Sequence, residues 1–193
     1  LAGTGLTACK NDNSAGNSDT PPLTRVSPPP VQTTLEPPLP KAGAGNFESL
    51  VADFESKDRV IWQKPDMVIS LLGDLKGKTV ADIGAGTGFF AFRMVKLADK
   101  VIGVDIDPRF IAFMDSVIVK LPKPYHSRFE TRMAKPDDPM LAPDEVDAVI
   151  IVNTYGYIEN RVQYLKTLGK GMKSGAELLI TDFKKKNLPR GPA

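Results

Sequence analysis

The stretch "VADIGAGTGFF" (80–90) holds the residues best suited to chemistry. Gly84, Gly86 and Gly88 alternate with other residues directly after a short apolar run, and the acid Asp82 stands two residues ahead of them. Glycine permits positive φ and leaves no Cβ between backbone and ligand. A loop of this kind brings main-chain groups close to a bound molecule. Two common uses fail on the count. The dinucleotide fingerprint G-x-G-x-x-G needs its third glycine at position 89, which is Phe89. That substitution also speaks against a nicotinamide-dependent oxidoreductase. A phosphate-binding P-loop needs Gly-Lys-Ser/Thr to follow, and none does. A second acid, Asp105, closes the next apolar run about 20 residues past the loop.

These residues need a platform, and the surrounding pattern supplies one. "TVADI" (79–83) reads as a short strand and "GFFAFRMVKLA" (88–98) as a helix. That helix, starting near Phe89, would turn free N–H groups and a positive dipole end toward the loop. "KVIGVDI" (100–106) is a second strand, and "PRFIAFMDSVIVKL" (108–121) a helix opened by Pro108. "RFETRM" (128–133) is a weaker third strand, and "VDAVIIVNTY" (146–155) a strong fourth. "NRVQYLKTLGKGM" (160–172) is a helix ended by a turn at Lys173–Gly175, and "AELLITDF" (176–183) is the fifth strand. Alternating strands and helices with continuous apolar strands imply an α/β fold: a Rossmann-like, mostly parallel sheet with helices on both faces. Ligands of such sheets sit beyond the carboxyl ends of the strands, where strand order reverses. Upstream, residues 47–75 carry apolar residues at helical spacing, split by Pro65. One short helix is expected before Pro65 and another from Pro65 to Leu72. Arg59, Trp62 and Gln63 there form either a flap over the ligand or a helix that lays its tryptophan on the sheet.

Composition narrows the class. The chain has 193 residues, 41% of them hydrophobic, which suffices for a core domain. A formal net charge of +2 argues against a dedicated nucleic-acid binder. No stretch is long and apolar enough for a spanning helix. The single cysteine, Cys9, excludes an intrachain disulfide. Residues 10–46 are rich in Pro, Ser, Thr, Asn and Gly and read as an extended linker. The domain is expected over 47–193. His126 reads as a solvent-facing loop residue, and Lys184–Lys186 as a solvated strand end.

Asp82-x-Gly84-x-Gly86-x-Gly88 at the end of a first strand resembles the glycine motif of class I S-adenosylmethionine-dependent methyltransferases. "VIGVDIDP", "KPDDPML", "VDAVIIVNTY" and "LLITDFKK" extend that resemblance over nearly all of 47–186. It implies S-adenosylmethionine as cofactor, a small-molecule acceptor and no metal. It places Gly84, Ala85, Gly86 and Gly88 around the cofactor and Asp82 at its methionine amino end. Asp105 would hold the ribose hydroxyls, as a carboxylate can accept both protons. Ile106 would flank the adenine, with Asp137 near its amino group, although Asp137 and Asp138 also read as turn residues beside proline. Asn153 and Tyr155 would face the methyl group or the acceptor. No convincing general base is present; Tyr155, Tyr157 and Asp182 are the catalytic candidates. The family loop Thr-Tyr-His-His-Ile reads Thr154-Tyr155-Gly156-Tyr157-Ile158 here, without its histidines. The family sheet has seven strands and the pattern here supplies five, so a chain lacking strands six and seven is expected. "LTAC" (6–9) resembles a bacterial lipobox, with 1–9 as a signal-peptide remnant. It implies a lipid anchor at Cys9 and a periplasmic or outer-membrane location, the alternative being cytoplasmic. A non-catalytic, cofactor-binding lipoprotein on the same fold is the competing function.

Overall fold

The computed structural model describes residues 46–183. Cys9, the linker and Lys184–Lys186 lie outside them. Five parallel strands form one sheet: β1 (Thr79–Ile83), β2 (Lys100–Asp105), β3 (Phe129–Met133), β4 (Val146–Val152) and β5 (Met172–Thr181). Their order is β3-β2-β1-β4-β5. The chain winds outward from β1 in one direction, then restarts beside it in the other. The reversal lies between β1 and β4, so the loops after those two strands meet at one place.

The strands are apolar on both sides because both sides are covered. On one face, Val80, Val101, Ala148 and Ile150 pack on α3 (Pro65–Ser70) and α4 (Ala91–Met94) through Val68, Ile69, Ala91 and Met94. On the other, Ala81, Ile102, Val149 and Ile151 pack on α6 (Arg161–Gly171) through Tyr164 and Leu168. Helix α5 (Pro108–Ile118) places the Met114 thioether over Gly103 of β2, where a Cβ would lie 2.8 Å from its sulfur. Local chemistry sets the helix starts. Asp107 accepts from the Arg109 N–H and Asn160 from the Gln163 N–H, while proline opens α3 and α5. At the outer edge, Arg132 of β3 is paired with Glu130 and Glu145.

Five expectations change. The segment before Pro65 forms two helices, α1 (Phe47–Phe54) and α2 (Arg59–Gln63). Asn46 caps α1, accepting from the Glu48 N–H, and Lys64 with φ +46° separates α2 from α3. Trp62 does not lie on the sheet: it is 39% exposed and its ring meets Phe183 at 5.7 Å. The helix after the glycine loop is regular only over Ala91–Met94, because Gly88 keeps φ +82° and delays its start. Lys173–Gly175 is not a turn after α6, since β5 begins at Met172. Between the pairs Val146–Met172 and Ala148–Glu177 the register shifts, so these residues form a bulge. Lys173 is held there by Asp147 of β4 at 2.8 Å. His126 is only half-exposed, with Nε2 2.7 Å from the Leu121 carbonyl.

Leu168 is completely buried in the face that α6 covers. Leu168→Ala is expected to lower unfolding free energy by about 2–5 kcal/mol, with an unchanged denaturant slope, in urea titrations. A loss within error of zero would mean that α6 does not close this face.

Candidate cofactor site

The loop after β1 is built by its neighbours as much as by its glycines. Gly84, Gly86 and Gly88 have φ of +71°, +56° and +82°. The Gly84 and Ala85 N–H groups donate to the Val104 carbonyl of β2, at 2.8 and 3.0 Å. A Cβ at Gly84 would fall inside the Thr154 side chain, which follows β4. The Thr154 hydroxyl in turn donates to the Val152 carbonyl at 3.1 Å. The two loops at the strand-order reversal are thus locked together. At Gly86, a Cβ would stand 3.2 Å from the Phe54 ring of α1.

Asp82, the last residue but one of β1, is 3% exposed. Its Oδ2 has no hydrogen-bond partner, and neither does the Thr87 hydroxyl in the loop above. Burial pushes the Asp82 carboxyl up to about 7. The Arg59 charge pulls it back most, followed by the Ala91 N–H, while Asp105 adds a smaller upward push. The start of α4, a helix of only four residues, presents its Ala91 N–H to Asp82.

Asp105 ends β2 and is 8% exposed. Its Oδ2 accepts from the Gly86 N–H at 2.8 Å and its Oδ1 from the Asp107 N–H at 2.9 Å. Burial raises its pKa; the Asp107, Gly86 and Ile106 N–H groups oppose that. Asp105 therefore pins the glycine loop to β2. Ile106, beside it, is 50% exposed. Asp137 sits exposed on a tight turn closed by the Lys135–Asp138 bridge, as the turn reading had it, while Asp138 accepts from the Met140 N–H at 2.7 Å.

Beyond β4, Asn153 adopts φ +54°, uncommon for a side-chain-bearing residue, and its N–H donates to Thr181 of β5. Tyr155 and Tyr157 lie on a 3-10 turn (Tyr155–Tyr157), the first half-buried and the second 47% exposed. Arg161 ties that turn down through the Tyr155 and Gly156 carbonyls, and Asp182 accepts from the Gly156 N–H at 3.1 Å. Asp105, the glycines and Thr154 form one connected cluster, with Asp82 two residues ahead of Gly84. Among the described residues, no group of three or more His, Cys, Asp or Glu is placed to hold a metal ion.

The model of a methyltransferase-domain family matches residues 74–191. That span includes every strand and the whole cluster. The chain belongs to this methyltransferase-domain family. Its described residues resemble a solved S-adenosylmethionine-dependent methyltransferase from Aquifex aeolicus, with a TM-score of 0.69 and 22% identity over 77% of this chain and 78% of that one. Among curated proteins it is 28% identical to a tRNA U34 carboxymethyltransferase of Shewanella putrefaciens over 118 residues, 61% of this chain and 35% of that protein. It is 56% identical to a ribosomal protein L11 methyltransferase of Tolumonas auensis over 39 residues, 20% of this chain and 13% of that protein. The chain thus spans no more than about a third of the curated relatives it matches.

For a methyltransferase domain the expected cofactor is S-adenosylmethionine, and the residues present fit it. The cofactor carries an ammonium and a sulfonium, and the site offers a buried carboxylate oxygen and a buried hydroxyl that lack partners. Three residues at this site escaped the sequence reading. Thr87 carried a weak signal, the one polar side chain within a run of glycines. Phe54 and Thr154 carried none, since their contacts with Gly86 and Gly84 cross long stretches of chain.

Two outcomes follow. Because Asp82 has a raised pKa, the folded protein binds the proton more tightly than the unfolded chain between about pH 4 and 7. Stability should therefore fall as pH rises through that window and level off above it. Asp82→Asn should flatten the fall in thermal unfolding scans; a profile identical to the parent would show that burial does not govern this group. Gly84→Ala should destabilise by about 1–3 kcal/mol, and Thr154→Ser should recover part of that by removing the Cγ2 atom. Equal losses in the single and double variants would break the proposed loop-to-loop contact.

Proposed function

We propose that this chain is an S-adenosylmethionine-dependent methyltransferase acting on a small-molecule acceptor. The observation that carries the reading is Asp82: a desolvated carboxylate with one unpartnered oxygen, at the switch point of a parallel sheet, beside a glycine loop. When bound, the cofactor supplies an activated methyl group on a sulfonium with a built-in leaving group.

The chain's own residues position and balance charge. Asp82 and Thr87 are proposed to receive the methionine amino end. Asp105, held by the Gly86 and Asp107 N–H groups, is proposed to accept from the ribose hydroxyls with the lone pairs those bonds leave free. Ile106 would flank the adenine, and Asp137 would reach its amino group from the neighbouring turn. Asn153 and Tyr155 would line the side where the acceptor enters, with Tyr157 and Asp182 at the rim. Near-neutral net charge supports a small acceptor over a polyanion. The curated relatives are named for tRNA and ribosomal-protein substrates, so both belong in any acceptor panel.

A second reading, a cofactor-binding lipoprotein without turnover, is favoured by "LTAC" ahead of the proline-rich stretch. It proposes acylation of Cys9 and a membrane-anchored location. Cofactor binding with no methylation across the panel, together with a lipid mass on Cys9, would select it.

Calorimetry tests the leading reading. S-adenosylmethionine should bind with a dissociation constant of about micromolar order. Affinity should rise with pH up to about 7, as Asp82 ionises. Asp105→Ala should weaken binding by about 10–100-fold, the loss of charge-assisted hydrogen bonds. Absence of binding by both the cofactor and its demethylated product, in the parent and in Phe54→Ala alike, would overturn the reading.

A further inference from the structure

The glycine loop is a surface that a nucleoside must approach closely, and α1 already stands on it. The Phe54 ring lies 3.2 Å from the position of a Cβ at Gly86. The same ring stacks on Phe110 at 5.5 Å with 14° between planes, and Phe47 meets Phe110 at 5.1 Å. Phe110 belongs to the first turn of α5, five residues after Asp105. This aromatic row therefore runs from the glycine loop to the end of β2, across the residues placed at the ribose and adenine side.

Helix α2 extends the cover toward Asp82. The Arg59 guanidinium lies 4.1 Å above the Phe89 ring, donates to the Phe54 carbonyl at 2.8 Å and donates to the Gln63 side chain at 2.9 Å. Arg93 takes a ring contact with Phe89 at 3.9 Å. Burial lowers the Arg59 pKa, and Asp82 is the charge that opposes this most. Asp82 in turn draws its largest charge stabilisation from Arg59. The two groups are each other's principal counter-charge, although neither donates a hydrogen bond to the other.

The cover is built to lift. Helix α1 has no fully buried residue, so little apolar surface anchors it. Its downstream end is Lys64, with φ +46° immediately before Pro65. A proline-preceding residue favours extended backbone, so this junction stores strain and divides the cover from the packed helix α3.

We propose that α1–α2 (47–63) is a displaceable plug: Phe54 occupies the approach to Gly86, Arg59 clamps it there through the Phe54 carbonyl and the Phe89 ring, and both give way to a nucleoside that carries its own cation. The plug opens for the ligand; a lid would close over it. Any ligand must then displace the cover, and its apparent affinity is reduced by the fraction of time the cover is open. The proposal rests on the cofactor reading above.

The test uses the full chain with S-adenosylmethionine and S-adenosylhomocysteine as probes. Hydrogen exchange over 47–63 should rise when either ligand binds, while exchange in the 84–88 loop falls. Phe54→Ala and Arg59→Gln should speed association in stopped flow and tighten binding, by about tenfold for a cover shut nine parts in ten. Arg59→Lys should restore the slower parent rate. Reduced exchange over 47–63 on binding, or weaker binding by both variants, would identify a lid and overturn the plug. Unchanged rates in both variants would overturn it too. If a variant does not fold, the direction of exchange in the parent decides alone. Parent binding with falling exchange sinks only the plug, whereas absence of binding by parent and variants sinks the cofactor reading as well. Binding by the variants but not by the parent supports both.

Discussion

A carboxylate stripped of water at the end of the central strand organises this molecule. Asp82 has one oxygen without a partner and a pKa lifted by burial. A group in that position is tolerable only if something supplies charge or a donor. Arg59 supplies charge from α2, and Ala91 supplies an N–H. The strands on either side are covered on both faces, and this keeps water from solving the problem instead.

Sheet topology decides where that carboxylate looks. With order β3-β2-β1-β4-β5, the loops after β1 and β4 come together at the reversal. Thr154 then fills the space over Gly84, and Asp105 reaches across from β2 to the Gly86 N–H. The loop is held by β2 and by the residue after β4 as well as by its own bond from the Gly88 N–H to the Ala85 carbonyl. Its glycines are consequences of that crowding as much as of any ligand. Asp105 holds the loop through the Gly86 N–H, so its removal frees the loop as well as taking away a carboxylate.

The strands and the glycine loop were legible because their signals are local. Continuous apolar runs read as buried parallel strands, and the Phe89 position ruled on the loop's spacing. Elements depending on distant partners were misread. The bulge at Lys173–Gly175 follows from Asp147 on another strand holding Lys173. The short α4 follows from Gly88 staying in a left-handed conformation. Trp62 found Phe183 at the far end of β5, beyond the reach of any window of sequence. Phe54 had only helical periodicity to show, which says that a residue is packed but not against what.

Residue types along the chain therefore determined the α/β alternation, the loop conformation and the presence of two acids at strand ends. They could do so because backbone preference and hydrophobic period act over a few residues. Tertiary structure alone decided that Asp82 loses its water, that Asp105 spends a lone pair on Gly86, and that α1–α2 lies over the loop. Each depends on groups far apart in sequence meeting in space, and electrostatics in a protein is set by that surrounding and not by the residue's name.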